Sequence, residues 1–379
     1  MSSNKPVHRI AIVGTGVIGA SWAAQYLACG FDVVATDPAP NAEAKVREYV
    51  DAAWPALTAI GVTPDATRAR LTFASSMKEA LSDADFVQEN GPERPDFKIK
   101  LFAEIDDATP PNSIIASSSS GITMSVIQSG CKRPERCVIG HPFNPPHVIP
   151  LVEVVGGVKT SPGVIQRAIE FYASIGKKPI LLHKELPGHV ANRLQAALYR
   201  EVVYLIEQGV LSVADADDAV SWGPGLRWGV MGPSLLWHIG GGEGGIQHFM
   251  DHLMGPLAGL MKTLGNPEIS AELKQTIIQG VMQEAGNRSL EQLAQEEIQS
   301  GHFRSVDEII VEGVQAWGEE HRSRQIGSEQ RRKAVDEALA FARDKAIPLG
   351  GISIRDLIHE GHRMWASGSS MPLLPSAGT

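Results

Sequence analysis

The chain has 379 residues, more than one ordinary core and enough for two domains that each bury their own. Hydrophobic residues make up 43% and charged residues 20%, a balance that excludes disordered and fibrous classes. The formal net charge of -9 excludes a surface built to grip nucleic acid or an anionic membrane, which would gather Lys and Arg on one face. A small-molecule partner is expected instead. The three cysteines, Cys29, Cys131 and Cys137, cannot form a disulfide framework, and their spacing suggests neither a zinc site nor a redox motif. The N-terminal MSSNKPVHR carries no apolar leader, and nowhere does an apolar run reach the ~18 residues of a membrane span. A cytoplasmic location is the expectation.

Residues 9–14, RIAIVG, read as a short buried strand, and the Gly-rich turn after them gives way to ASWAAQYLACG, with small and apolar residues at helical spacing. A second strand follows at 32–37, DVVATD, and further strands are predicted at 71–75, 84–89, 113–117, 137–143, 151–157 and 178–185. Helix-like segments fill most of the gaps. The continuous apolar character of the first strands points to a parallel sheet covered on both faces, so the expected fold class is α/β, a Rossmann-type doubly wound sheet. After Pro187 the pattern turns helical, with Val190, Leu194, Ala197, Leu198 and Leu205 on one stripe. The expected organisation is a dinucleotide-binding domain over 1–186, a mostly α-helical substrate and dimerisation domain over 187–320, and a helical extension with a loose tail over 321–379. Within the second domain, the Gly-dense 223–245 stretch reads as a loop between helices or a loop that meets substrate.

The turn at 14–19, GTGVIG, places Gly14, Gly16 and Gly19 in a G-x-G-x-x-G pattern, with Val17 and Ile18 opening the helix. Gly14 permits the tight turn, Gly16 lets the backbone approach a pyrophosphate, and Gly19 allows close packing of helix on sheet. Asp37, at the end of the second strand, is placed to accept hydrogen bonds from a ribose diol and to repel a 2′-phosphate. The cofactor is therefore expected to be NAD rather than NADP.

Downstream, SSSSG at 117–121, HPFNPP at 141–146, PLVEVVGG at 150–157 and PGHVANRL at 187–194 occur in an order and spacing that resembles the 3-hydroxyacyl-CoA dehydrogenase family. The resemblance covers residues from about 8 to about 320 and implies NAD-dependent oxidation of a secondary alcohol, with pairing of two chains through the helical domain. It assigns a catalytic dyad to His141 and Glu153, substrate-oxygen hydrogen bonds to Ser120 and Asn192, and the nicotinamide half of the cofactor site to Glu93, Lys98, Ser120 and Asn144. The residues support that assignment on their own chemistry. Alcohol oxidation needs a base that works near neutral pH, and His141 sits at a strand end where its ring can project into a cleft. Glu153, on the next strand, would fix the tautomer of such a base and stabilise its cation. No metal site is expected: His248 and His252 share helical spacing but lack the glutamate of an HExxH motif.

The segment where acyl-CoA enzymes need basic residues for coenzyme phosphates reads NAEAKVREYVDAAWPALTAIG, with few of them. The run WGPGLRWGVMGPSLLWHIGGGEGG is more similar to the branch of carnitine 3-dehydrogenases and lambda-crystallin-type L-gulonate 3-dehydrogenases, which act on small free 3-hydroxy acids. Arg227 is the expected carboxylate clamp. Trp228, with Trp222, Trp237 and Phe249 close in sequence, offers aromatic faces to a quaternary ammonium or fills the core. A carnitine-like substrate is favoured over a sugar acid or an acyl-CoA; a non-catalytic NAD-binding or structural protein is the alternative of another class.

Overall fold

The computed structural model describes residues 6–286. The expected extension over 321–379, and the expected second domain from 287 onward, lie outside the described residues. Eight strands form one sheet: β1 (Arg9–Val13), β2 (Asp32–Thr36), β3 (Leu71–Phe73), β4 (Phe86–Glu89), β5 (Ile114–Ser117), β6 (Cys137–Pro142), β7 (Leu151–Gly156) and β8 (Lys178–Leu181). Their order across the sheet is β3-β2-β1-β4-β5-β6-β7-β8. The order reverses between β1 and β4, where the chain leaves in opposite directions and a crevice opens beyond the strand ends.

Helices α1 (Val17–Ala28), α2 (Ala42–Ile60) and α6 (Pro162–Ser174) cover one face, and α3 (Met77–Leu81), α4 (Pro95–Ala108) and α5 (Met124–Ile127) the other. The two-residue period of a strand sorts the core: Ile10 and Ile12 of β1 pack with α1 and α6, whereas Ala11 and Val13 pack under α4. All four are nearly or fully buried, as a central strand covered on both sides requires. On the α1 side, Trp22 stacks on Tyr26 and Phe86 on Phe171.

One strand pair departs from the parallel expectation. β6 and β7 run antiparallel, joined by residues 143–150, a link too short for the crossover that parallel neighbours need. This link is fastened to its surroundings: Ser21 Oγ accepts from the His147 amide at 2.9 Å, and Lys177 Nζ donates to the Pro146 and Ile149 carbonyls. The Asn144–Pro145 bond within it is cis.

Beyond the sheet come α7 (Ala191–Glu207), α8 (Val213–Val220), a π-type turn over Ser221–Gly225, then α9 (Leu226–Val230), α10 (Pro233–Gly240), α11 (Gly245–His252), α12 (Met254–Met261) and α13 (Ala271–Glu284). The Gly-dense segment is thus a set of short helices rather than a loop. On α7 the buried residues are Val202, Val203 and Ile206, of which Val202 and Ile206 pack on Val213 and Ala216, whereas the predicted stripe is largely open, with Leu194 67% and Val190 37% exposed. An apolar stripe marks a face that is covered, and among the described residues nothing covers this one fully. Among the described residues no helix is long and apolar enough to cross a membrane.

Candidate active site

The Gly-rich turn joins β1 to α1 at the reversal point of the sheet. Gly14 has φ +88°, and a Cβ on Gly19 would lie 1.9 Å from the Gly14 carbonyl oxygen, so both positions demand glycine. Gly16 has open space where a Cβ would stand. No side chain caps α1 and no acidic residue stands in its first turn, which leaves its N-terminal amides and dipole to an anion. Asp37 lies at the mouth of the turn, where its carboxylate accepts from the Thr15 amide at 2.7 Å and the Ala39 amide at 2.8 Å. A room-making glycine, an open helix N-terminus and a fixed carboxylate beside it fit the pyrophosphate and adenosine ribose of NAD.

A cavity of about 380 Å³ opens beside this turn, lined by Ile18, Ser118, Ser120, His141, Phe143 and Asn144, with Pro142, Asn192 and Gln195 completing it. Five residues singled out from sequence, Ile18, Ser120, His141, Asn144 and Asn192, therefore meet at one place. The antiparallel register puts His141 directly opposite Glu153, and His141 Nδ1 lies 2.8 Å from Glu153 Oε2. Glu153 is wholly buried, and its other oxygen, Oε1, accepts from the Val190 amide at 2.8 Å and the Ala191 amide at 3.0 Å, at the start of α7. Burial raises the Glu153 carboxyl, but the hydrogen bonds from His141 and from these two amides prevail and hold it below the usual carboxylate range. The helical segment therefore enters the site through a backbone contact that residue types cannot announce.

Glu93 stands over the same loop, its Oε1 accepting from Ser119 Oγ at 2.6 Å and from the Gly121 amide at 2.8 Å. Burial works to raise its carboxyl, while the bonds to Ser119 and Gly121 and the charge of Lys98 bring it below its ordinary value. Lys98 itself is 1% exposed and does not line the cavity: its ammonium donates to both oxygens of buried Glu89, at 2.9 and 3.0 Å, and lies 3.7 Å from Glu93. It also donates to the Gly91 carbonyl at 3.1 Å, and the two carboxylates supply the opposite charge that an ammonium this deeply buried needs. Among the cavity residues, Ser118, Pro142, Phe143 and Gln195 are additions to the site residues expected from sequence. Gln195 follows Asn192 by three positions on α7, a same-face spacing that a helical reading of PGHVANRLQ contains.

Arg227 and Trp228 stand apart from this cavity. They fall on α9, where Arg227 is exposed and Trp228 is 43% exposed, so among the described residues they form no carboxylate clamp at the cavity. Trp237 and Phe249 stack on each other at 5.0 Å, as packing residues do, and Trp222 is 76% exposed. Cys131 and Cys137, not linked by the sequence reading, bring their sulfurs within 3.8 Å as free thiols.

A doubly wound sheet with this turn and this histidine site defines an NAD-dependent oxidoreductase that acts on a CH–OH group. The profile of the NAD binding domain of 3-hydroxyacyl-CoA dehydrogenases matches residues 9–186, and that of their C-terminal domain matches residues 188–283. The chain belongs to the 3-hydroxyacyl-CoA dehydrogenase family. It is 48% identical to an L-carnitine dehydrogenase of Streptomyces griseus, over 76% of this chain and 87% of that one. With an L-carnitine dehydrogenase of Streptomyces coelicolor it shares 44% identity over 84% of this chain and 97% of the relative. A solved structure, 5-formyl-3-hydroxy-2-methylpyridine 4-carboxylic acid 5-dehydrogenase, described as an NAD+-dependent dismutase, superposes with a TM-score of 0.65 at 32% identity, covering 76% of this chain and 89% of that chain.

Proposed function

We propose that this protein oxidises the hydroxyl of a small, free 3-hydroxy acid, L-carnitine in the first place, with His141 as the general base. The observation that carries the reading is the His141–Glu153 hydrogen bond at a cavity also lined by Ser120 and Asn192. NAD, held by Gly14, Gly16, Val17, Ile18, Gly19 and Asp37, with Glu93 and Asn144 toward the nicotinamide and Lys98 acting through Glu93, supplies the hydride acceptor when bound. Glu153 keeps the ring proton on His141 Nδ1, so that Nε2 presents its lone pair to the substrate hydroxyl and takes the proton. Ser120 and Asn192 donate to the substrate oxygen as its O–H bond breaks, stabilising the developing charge.

Three features support the carnitine-like substrate. The curated relatives named L-carnitine dehydrogenase share 41–48% identity with this chain. Phe143 gives the cavity an aromatic face suited to a quaternary ammonium. On the α2 side, where coenzyme A phosphates would need several free cations, Arg47, Arg68 and Arg70 are each paired with a carboxylate, Glu43, Asp51 and Asp32, which leaves exposed Lys45 as the remaining cation of that helix.

We further propose a cytoplasmic homodimer paired through the helical segment, whose exposed Leu194, Trp222, Leu226 and Val230 a second copy would cover. Arg227 and Trp228 belong to that face, and their substrate-binding role depends on the pairing. A monomeric mass in solution would refute this part.

The test of the main reading is NADH formation with L-carnitine, L-gulonate, 3-hydroxybutyrate and a 3-hydroxyacyl-CoA, for the parent enzyme and His141→Ala. Activity on L-carnitine, abolished in the variant, is the expected result. Activity confined to the thioester would overturn the substrate, and turnover that survives in His141→Ala would overturn the base.

A further inference from the structure

His189 lies two residues before α7 and plays no part in the chemistry described above. Its side chain is buried, with 1% of the residue exposed, and its backbone adopts φ +49°, a left-handed conformation that residues with a Cβ rarely hold. Such backbone persists where the surrounding contacts impose it. Here the contacts are specific. The ring lies 4.9 Å from the His141 ring, tilted by 43°, and Nε2 stands 2.9 Å from the Ser119 carbonyl oxygen. Because a carbonyl only accepts, Nε2 carries the ring proton and Nδ1 is bare.

That Nδ1 is buried and has no hydrogen-bond partner among the described residues. A second proton there would have no acceptor and would stand beside His141. The charged groups facing His189 are Glu153 on β7 and Glu93 after β4, with Lys98 of α4 behind Glu93. Burial, aided by His141, outweighs the Ser119 hydrogen bond and the two carboxylates, all of which favour the cation, and holds the His189 imidazole below its ordinary value. The group is thus a neutral ring of one tautomer, in contact with the base on one side and tied to the serine loop on the other.

We propose that His189 is a positioning residue: a neutral imidazole strut that sets the Ser119–Ser120 backbone at a fixed distance from the His141 ring. The hydroxyl of Ser120 and Nε2 of His141 must reach the same substrate oxygen, and a shift of about 1 Å between them costs rate out of proportion to its size. A merely space-filling role would need the ring but not its Nε2 proton. This inference rests on the reading of His141 and Ser120 as the groups that handle the substrate hydroxyl.

Two variants of the full-length enzyme separate the roles. His189→Phe keeps the ring volume and removes the donor, whereas His189→Gln restores an amide N–H at the reach of Nε2; the left-handed backbone burdens both alike. Kinetics with L-carnitine should show kcat lowered about tenfold or more in His189→Phe and recovered to within about threefold of the parent in His189→Gln. The NAD dissociation constant, read by tryptophan fluorescence, should stay within about twofold throughout. In parallel, nitrogen NMR of histidine-labelled parent enzyme should show His189, assigned by its loss in the Gln variant, as the Nε2–H tautomer unchanged from about pH 7 to about pH 9. Parental kcat in His189→Phe would overturn the proposal, as would equal losses of kcat and NAD affinity in both variants, or a His189 ring that titrates in that range. Should no hydroxy acid be turned over, the reading of the active site fails. The NMR result then decides the strut alone, a fixed neutral tautomer upholding it and a titrating ring overturning it.

Discussion

Replacing Glu153 with glutamine exposes the logic of the site with the least change of shape. In the native arrangement one carboxylate oxygen receives two backbone amides from the start of α7 and the other receives His141 Nδ1. A glutamine must choose. With its oxygen toward Val190 and Ala191 it keeps both amide bonds; the flipped form sets an NH₂ against two N–H donors and leaves them unsatisfied, at about 1–3 kcal/mol each. The amide oxygen therefore stays on the helix, and the NH₂ faces His141 Nδ1. That nitrogen must then accept, which moves the ring proton to Nε2 and closes the position that should take the substrate proton. Loss of the productive tautomer, together with loss of the charge that stabilises the imidazolium, is expected to lower kcat about 10³-fold, roughly 4 kcal/mol. NADH absorbance measures this directly, and tryptophan quenching by NAD together with the melting temperature shows whether the fold survives. A Glu153→Gln enzyme with kcat within about tenfold of the parent would refute the tautomer assignment.

Exchanging Asp37 for serine together with Ala39→Arg removes the charge that faces a ribose phosphate, and should raise KM for NAD about tenfold while making NADP usable; continued rejection of NADP would remove Asp37 from the ribose site. For Lys177, burial pushes the ammonium down to about 7 from an ordinary 10.5. The unfolded chain then holds more protons than the folded one between those values, so stability rises with pH across that window and its benefit is lost as pH falls toward 7, by up to about 1.4 kcal/mol per unit. Lys177→Met should abolish that rise, and parallel urea midpoints for parent and variant at about pH 7.5 and pH 9.5 would contradict it. A Cβ on Gly140 would lie 2.0 Å from the Tyr172 hydroxyl, which donates to Gln88 at 2.7 Å, so Gly140→Ala should cost about 1–3 kcal/mol and lower the melting temperature. An unchanged melting temperature would mean that Tyr172 yields without cost.

The sequence displayed most of the sheet because its signals are local. Each of the eight predicted strands overlaps an observed one, from Arg9–Val13 to Lys178–Leu181, since a strand buried on both faces must be a short apolar run bounded by turns. His141 and Glu153 stand out through the family resemblance and the chemistry of a histidine at a strand end, and the antiparallel register sets the two opposite each other. Lys98 shows the limit of motif reasoning. Its position in the chain suggested cofactor contact, but Glu89 and Ser117, from two different strands, claim the space in front of it with a 2.6 Å hydrogen bond between them. Arg227 shows another limit. Its surroundings depend on how short helices separated by glycines pack, and no periodicity reports that.

The antiparallel turn of β7 is what brings the His141–Glu153 pair together beside the cofactor crevice. Parallel neighbours would place the ends of β6 and β7 at the same edge, with a crossover helix between them and no direct facing of His141 by a residue 12 positions later. Reversal lets the histidine stand at the end of β6 while the carboxylate enters from the early part of β7, deep enough to be wholly buried. Since side chains alternate along a strand, a slip of one residue in this register would turn Glu153 to the other face of the sheet. The amides that begin α7 oppose such a slip, because they bind the oxygen that His141 does not use. The helical segment thus bears on the proposed chemistry at two levels: Asn192 and Gln195 line the cavity from its first turns, and its N-terminus holds the carboxylate that is hydrogen-bonded to His141.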